Sequence, residues 1–516
     1  MIKPTNGIIA AGDRGTVNAG QMILDAGGNA FDAAIAAMLA SFVVEPTLTS
    51  AGGGGFLLAR TCQGENILFD FFSQTPRHKK STEAIDFYPI EVNFGDAIQQ
   101  FHIGLGAMAV PGAIAGAVRI HQSLGRLPFS VVAEPAIHYA EKGFQLSKFQ
   151  DLCINQLLSP ILLATAGSRQ IFAPEGKLLQ KGDTIYQKDL AATLQEIVKE
   201  GDRVFYQGEI ARKIAADCQE SGGHLTLADF HNYRVIVQRP LQFTYRQHTC
   251  LTNPPPSSGG TLIAFALELL STLDIAQFPH YSSEHLRELA TIMQLTNTAR
   301  KDSYDDRLYQ DNIAETFLHP NYLQPYQETL INKFGSTTHI SVIDKEGNAA
   351  SVTTSNGEGS SYVVPGTGIM LNNMLGEADL NPGGFHRWPG DRRLSSMMSP
   401  TIVLKEDKPY IVLGSGGSNR IRTAILQVIS NLIDFEMSMS DAIASPRIHW
   451  EDNVLNIEPP YSSEISQNFH LDKDTKTVLW QEQSMFFGGV HGVIQNSFNE
   501  FAGAGDPRRQ GVCNEV

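Results

Sequence analysis

Thr337-Thr338-His339-Ile340-Ser341-Val342-Ile343-Asp344 follows the small pair Gly335-Ser336, and its reading decides the fold. β-Branched and apolar residues run through these positions as they do in a strand. A hydroxyl residue stands directly before that strand. If the Ser336–Thr337 bond opens, Thr337 gains a free α-amine beside its own hydroxyl. Such an amine has an ordinary pKa near ~8, so it accepts the hydroxyl proton close to neutral pH. The same hydroxyl, attacking the preceding carbonyl, makes an ester that water opens, so the chain has the means to cut itself. Taken alone, a Thr-Thr pair at a strand start is ordinary β structure. The surroundings must decide.

Downstream of Thr337 the texture is β-rich, with strands expected at Thr338–Asp344, Ala349–Thr354, Ile369–Leu371, Thr401–Leu404 and Tyr410–Leu413. Helices are expected near Ile421–Ile433 and Ser438–Ala444, and strand-like pieces at Arg447–Trp450, Val454–Ile457 and Val490–Gln495 close the chain. Upstream, residues 110–305 read as mainly helical, with short extended pieces near Tyr233–Val237 and Thr249–Thr252. The amino end reads as a strand at Gly7–Ala11, then helical spacing from Val17 to Val44 broken at Gly27-Gly28-Asn29. Gly52-Gly53-Gly54-Gly55 then leads into a strand whose hairpin partner is Asn66–Phe71. Strands at both ends with helices between argue for two stacked sheets covered by helices, an α+β arrangement.

The whole chain sets limits. It has 516 residues, 42% apolar and 18% charged, with a formal net charge of -15. A chain this long buries a sizeable core without staples. An acidic balance disfavours nucleic acid as partner, because phosphate contacts need clustered Lys and Arg. Arg77-His78-Lys79-Lys80 is a short basic run without aromatics and reads as a solvated loop. The five cysteines are scattered, with no CxxC pair, so neither a disulfide framework nor a zinc site is indicated. The histidines show no metal-ligand spacing, and no cofactor is implied. Residues 1–7 lack the apolar region of a leader, and Ala33–Val44 is too short to span a bilayer. As it stands the chain reads as cytoplasmic; it would be periplasmic or secreted if an export signal had been removed.

The motifs, taken in order, resemble γ-glutamyltranspeptidases over nearly the whole chain. They are Gly27-Gly28-Asn29-Ala30-Phe31-Asp32, Gly52–Phe56, Val110-Pro111-Gly112 and Pro254-Pro255-Pro256-Ser257-Ser258-Gly259-Gly260, followed by Thr337-Thr338-His339 and Leu371-Asn372-Asn373. Leu394-Ser395-Ser396-Met397, Gly414-Ser415-Gly416-Gly417, Gly488-Gly489-Val490-His491 and Asp506-Pro507-Arg508-Arg509 complete the series. The resemblance implies a four-layer αββα N-terminal-nucleophile fold, cleaved between Ser336 and Thr337 into residues 1–336 and 337–516 that stay together as a heterodimer. It implies that Thr337 attacks an amide carbonyl, forms an acyl-enzyme and passes the acyl group to water or an amine. The partners are then a small γ-glutamyl or acyl amide and its acceptor, with neither nucleic acid nor membrane.

By the same resemblance, Gly416 and Gly417 supply oxyanion donors, each worth about 3–4 kcal/mol in other hydrolases. This loop reads Gly-Ser-Gly-Gly-Ser-Asn-Arg without the family's proline, so the donors can shift to Gly417 and Ser418. Ser395 and Ser396 match hydroxyls that bind a substrate α-carboxylate. The second hydroxyl beside the nucleophile falls at Ser355, or at Thr354 if the register slips. Asn356, Asn373 and Glu377 fall at positions contacting the substrate's amino-acid head.

Two departures bear on substrate. After Asp70-Phe71 the family has an arginine for the α-carboxylate, and this chain has Phe72. An arginine fork makes paired charge-assisted hydrogen bonds, and phenylalanine makes none. Loss of such a contact costs about 2–5 kcal/mol when the carboxylate is still buried. After Asn373 comes Met374-Leu375-Gly376-Glu377, which leaves Glu377 as the acidic candidate and Met374 to line a more apolar pocket. The stretch from Glu377 to Ser395 is shorter than the lid-bearing form of the family, suggesting an open site. Both departures lean toward the cephalosporin-acylase-like branch, with glutaryl- or cephalosporin-type amides as alternative donors. From other classes, a P-loop is excluded because no Lys-Ser or Lys-Thr follows Gly52–Gly55. An uncleaved, non-catalytic binding protein is the remaining alternative.

Overall fold

In the computed structural model, which describes residues 6–93, 98–310, 312–319, 337–381, 383–496 and 500–516, the strand expected after Thr337 lies in the middle of a seven-stranded sheet. Before Thr337 the strands of the two main sheets are Gly7–Ala11 (β1), Gly54–Arg60 (β2), Asn66–Phe71 (β3), Ile236–Gln238 (β4), Leu241–Tyr245 (β5) and His248–Thr252 (β6). After it come Thr338–Asp344 (β7), Ala349–Ser355 (β8), Thr401–Lys405 (β9), Lys408–Gly416 (β10), Gly489–Gln495 (β11), Phe501–Ala504 (β12) and Val512–Glu515 (β13). The first sheet has the order β13-β1-β7-β8-β2-β3-β4 and the second β12-β11-β10-β9-β6-β5, and every neighbouring pair is antiparallel.

Alternation along β7 and β8 sets the layers, because successive side chains point to opposite faces. Ile340, Val342, Ala350 and Val352 join the core shared with Arg14–Asp25 (α1) and Ala30–Val44 (α2). On the opposite face, Ser341 Oγ donates to the His491 carbonyl (3.1 Å) and Ser351 Oγ to the Leu413 carbonyl (3.1 Å), which ties the first sheet to β11 and β10 of the second. Ser258–Ser271 (α3), Ser283–Ala299 (α4) and Arg420–Ile433 (α5) share the core on the far side of the second sheet. The four layers are helix, sheet, sheet, helix, the expected αββα order.

Every residue of α2 is buried, so this helix is a wall of the core. It starts where it does because Asn29 caps it. The Asn29 side chain accepts from Phe31 N and Asp32 N while Asp32 accepts from Asn29 N, a reciprocal capping box. Gly27, at φ +89°, turns the chain between α1 and α2.

Several expected elements differ. Ile369–Leu371 is not a strand: Leu371 makes an isolated bridge with Gly52, and Met370 another with Val363. The middle of the chain carries the β5–β6 hairpin, which forms the edge of the second sheet. A further hairpin, Tyr88–Asn93 with Ile98–Ile103, lies outside the two main sheets. The chain does not close on β11, since β12 and β13 follow it and pair with β11 and β1. Within the stretch read as mainly helical, Ser283–Ala299 is α-helical and Arg300–Tyr304 continues it as a π-helix. Among the described residues no helix is long and apolar enough to cross a membrane.

Candidate active site

Thr338 lies opposite Thr354 in the β7–β8 ladder, so one step outward places Thr337 opposite Ser355. Both then share the inter-sheet face with His339, Ser341 and Thr353. Thr337 and Ser355 both line a recess at this end of the two sheets. Its other polar walls are Glu377, Asp379, Ser396 and Ser418, and its apolar walls are Phe72, Met374, Leu380, Met397, Met398 and Ile421. Ser336, the other half of the expected cleavage site, lies outside the described residues.

The backbone around Thr337 is held from two sides. Arg509 Nη1 donates to the Thr337 carbonyl (3.1 Å). Gly416, the last residue of β10, packs against the same carbonyl, and a Cβ there would stand 2.1 Å from its oxygen. Gly416 is thus needed for a close approach. Gly417 and Ser418 follow with φ +123° and +49°, and of these three residues only Ser418 lines the recess. Its hydroxyl donates to Asp379 Oδ2. Ser355 Oγ accepts from Gly357 N (3.0 Å).

Glu377 is buried, and its Oε1 has no hydrogen-bond partner. Burial first, then the nearby carboxylates of Glu358 and Asp379, hold its carboxyl well above the usual range. Gly357 at φ +62° leaves room for this group, since a Cβ there would meet Glu377 Oε1 at 2.0 Å. Asn356 and Asn373 do not line the recess. Asn356 Oδ1 accepts from Ser50 Oγ (2.9 Å). Asn373 Oδ1 accepts from Glu358 N (2.9 Å), and its Nδ2 donates to the His102 carbonyl (3.3 Å). Both asparagines brace the wall that carries Glu377.

Ser396 lines the recess and Ser395 stands just behind it, with its Oγ 2.9 Å from Ser258 Oγ. The Pro254–Gly260 turn has a clear purpose here. Ser258 N donates to the Ser396 carbonyl (2.8 Å), and Ser257 Oγ donates to the carbonyls of Ser396 (3.0 Å) and Met398 (3.1 Å). At Gly259 a Cβ would stand 2.1 Å from the Met397 carbonyl oxygen. This turn therefore clamps the serine pair from below.

Phe72 is buried, stacks on Phe56 with centroids 5.5 Å apart, and lines the recess. Arg77 does not replace the expected arginine, because it pairs with Asp391 (3.0 Å) at the partly exposed surface. The buried guanidinium nearest in the network is Arg393. It pairs with Asp70 (3.3 Å), donates to the carbonyls of Phe72 and Arg234, and lies over the Tyr233 ring. It does not line the recess.

Sequence reasoning missed Asp379, Arg509 and Glu45 around Thr337, and named Ser418 only as a backbone donor. Asp379 makes Glu377 one of two lining carboxylates rather than the only acidic candidate. Ser418 presents a side chain as well as a backbone donor. Arg509 holds the Thr337 carbonyl, and its only signal was the Asp506–Arg509 motif. Glu45 ends the apolar helix α2, and a charged residue there was a visible anomaly. Glu45 accepts from Thr338 Oγ1 (2.7 Å) and Thr16 Oγ1 (2.6 Å). Burial, aided by the charge of Asp13, pushes its carboxyl up to about 7. His339 is structural: its ring nitrogens lie 2.8 Å from Thr353 Oγ1 and 2.9 Å from Ser341 Oγ, and burial keeps it neutral. Among the described residues no group of three or more His, Cys, Asp or Glu is arranged to hold a metal ion.

Comparison with known proteins places these features in context. The family model described as Gamma-glutamyltranspeptidase matches residues 16–516. The glutathione hydrolase proenzyme of Escherichia coli (strain K12) is 31% identical, over 98% of this chain and 91% of that one. The acylase ACY 1 proenzyme of Pseudomonas sp. (strain SE83) is also 31% identical, over 98% and 94%. Among solved structures, the cephalosporin acylase from Bacillus halodurans superposes with a TM-score of 0.84 at 26% identity, covering 99% of this chain and 96% of that one.

Proposed function

The chain belongs to the γ-glutamyltranspeptidase family, and on that premise we propose that it matures by cutting itself before Thr337 and then uses Thr337 to transfer acyl groups from amides. The observation that carries this reading is the placement of Thr337: first residue before a central strand, facing a recess, opposite Ser355 and gripped at its carbonyl by Arg509 and Gly416.

Maturation begins with attack of Thr337 Oγ on the Ser336 carbonyl, which moves the acyl bond from nitrogen to oxygen. Water then opens the ester, leaving a carboxylate on Ser336 and a free amine on Thr337. In turnover this amine takes the Oγ proton as Oγ attacks the amide carbonyl of the donor. The carbonyl oxygen becomes an oxyanion, the C–N bond breaks, and the leaving amine departs with the proton. The acyl ester on Thr337 then passes to water or to an acceptor amine.

Ser355 is the second hydroxyl beside the nucleophile. The exposure of Ser418 to the recess, with Gly416 spent on packing against Thr337, favours Gly417 and Ser418 as the oxyanion donors. Ser395, Ser396 and Glu377 receive the head of the acyl group, with Asn356 and Asn373 supporting. Residues 1–336 and 337–516 are the two subunits. The donor is a γ-glutamyl amide or a related acyl amide; Phe72 and Met374 in the wall favour the acylase-like variant as the second reading.

Amino-terminal sequencing of the purified protein tests this directly. A new terminus at Thr337, two bands on a denaturing gel, and a Thr337→Ala variant that stays whole and releases no p-nitroaniline from acyl anilides are expected. One continuous chain in an active sample would overturn the reading, and a single inactive chain would favour the uncleaved binding protein.

A further inference from the structure

We propose that Glu45 is a positioning residue for the nucleophile: by holding the Thr338 hydroxyl it pins the end of β7, so that Thr337 stays aimed at the recess once it has become a chain terminus. This rests on Thr337 as the nucleophile and names a residue outside the recess that the reaction needs.

Cutting before Thr337 turns the nucleophile into the first residue of a chain, and such residues fray unless something ties them down. The sheet ties this one from one side only. β1 pairs with β7 as far as Ala11 opposite Ile340, whereas β8 pairs with it out to Thr354 opposite Thr338. Thr338 and His339, the two strand residues nearest the nucleophile, therefore lie past the end of the β1 ladder.

Glu45 stands on that open side. Gly12 follows Ala11, and a Cβ there would stand 2.7 Å from Glu45 Oε2 and 3.0 Å from Thr338 Oγ1. The carboxyl and the hydroxyl thus fill the space where β1 leaves off, joined by the 2.7 Å bond from Thr338 Oγ1 to Glu45 Oε2. Glu45 is itself fixed. Its N–H donates to the Ser41 carbonyl (2.9 Å), and its carbonyl accepts from Leu48 N (2.9 Å) and Thr49 N (3.2 Å). Thr16 Oγ1 donates to Oε1 (2.6 Å), and both threonines and the carboxyl are buried. Burial, with the charges of Asp13 and Arg509 acting in opposite senses, pushes this carboxyl up to about 7. The tie does not depend on ionisation, because a carboxylate accepts at both oxygens and a neutral carboxyl accepts at one while donating at the other.

Alternation turns Thr338 toward the helical layer and Thr337 toward the second sheet, where Arg509 and Gly416 hold its carbonyl. The end of β7 is gripped on both faces. A reacting group misplaced by about 1 Å loses about a hundredfold in rate, so release of one grip should appear in kcat.

The two threonines on Glu45 separate positioning from plain stability, since each removes one donor from the same carboxyl. kcat and KM are measured with γ-glutamyl and glutaryl p-nitroanilide, per chain that begins at Thr337. Thr338→Val is expected to lower kcat at least tenfold with KM within twofold, and Thr338→Ser, which keeps the hydroxyl, to stay within threefold of the unaltered enzyme. Thr16→Val should lower the melting temperature about as much as Thr338→Val yet keep kcat within threefold. Full kcat in Thr338→Val would overturn the inference, as would an equal loss of kcat in Thr16→Val, which would make Glu45 a stabilising tie only. Because Thr338→Val can fail to mature, Gly12→Ala, which wedges the pair apart, is read in the same way; a loss of kcat of at least threefold supports the inference, and an unaltered kcat overturns it. Amino-terminal sequencing of the same samples keeps the two ideas apart. A terminus elsewhere than Thr337 sinks the nucleophile, whereas a Thr337 terminus with full kcat in Thr338→Val sinks only the role of Glu45.

Discussion

Gly416 has no space for even a methyl group, because that methyl would overlap the Thr337 carbonyl oxygen. The oxygen belongs to the residue that leads into a strand held by ladders on both sides, and it cannot retreat without moving the nucleophile. Overpacking of this kind costs about 1–3 kcal/mol in a well-packed interior, which a chain of this size survives. Gly416→Ala should therefore fold, with a melting temperature lowered by a few degrees, while self-cleavage and turnover fall by about a hundredfold, the loss a misplaced reacting group brings. Anilide turnover and a cleavage time course on gels check this; unaltered rates would show that the contact is not part of the machinery. At this scale the sequence was readable only where chemistry and chain position coincide. Thr337, Ser355, Ser396 and Glu377 were legible from motifs, and they meet at one recess. Asp379 and Ser418 were not paired in advance, since 39 positions separate them and neither motif names the other. Arg509 reaches Thr337 across 172 positions, and only the folded chain brings them together.

Glu45 joins three elements behind the nucleophile: it follows the last residue of α2, accepts from Thr16 on α1 and accepts from Thr338 at the start of β7. Asp13, the cap of α1, shares the buried site, and burial pushes its carboxyl up to about 6. Both folded-state values lie above the ordinary carboxyl range, so the stability they contribute is complete below about pH 4 and is lost as pH rises through about 6 to 7. For Glu45 alone this is on the order of 3 kcal/mol. Glu45→Gln removes a titrating group while keeping an acceptor for a threonine hydroxyl. The decline of melting temperature from pH 5 to 8 should then be visibly shallower than in the unaltered protein; parallel curves would contradict the assignment. Elements of this kind were the most legible part of the chain. The helices Phe129–Lys142 and Glu209–Ser221 lie in the stretch that reads as mainly helical, and the break at Gly27-Gly28-Asn29 is a true stop and restart. Of the β5–β6 hairpin only the extended piece at Thr249–Thr252 was expected; its partner β5 was missed because the turn is Arg246-Gln247, with Arg246 at φ +52° and no glycine or asparagine to announce it. Strands β12 and β13 were missed because each has four residues and gains its regularity from pairing with β11 and β1.

Across the whole molecule, the expected cleavage point divides the chain but not the architecture. β7 and β8, from residues 337–516, lie between β1 and β2, from residues 1–336, and β13 pairs on the outer side of β1. In the second sheet β6 of the first segment pairs with β9 of the other. Four ladders thus cross the division, together with the core that α1 and α2 share with β7 and β8. Separating the fragments would expose those strand edges and that core at once, a cost comparable with unfolding. Once cut, the protein should elute as one species at its full 56.4 kDa or a multiple of it, with two bands appearing only after denaturation. Thermal melting of the cut form should remain a single cooperative transition, followed alike by tryptophan fluorescence and far-ultraviolet circular dichroism, because neither fragment contains a complete sheet of its own. Fragments that part in native buffer, or two resolved melts, would mean that the segments fold independently. The recess argues the same point. Phe72 closes one side from the first segment while Thr337, Glu377, Ser396 and Ser418 come from the second, so a dissociated small fragment would keep its nucleophile and lose a pocket wall.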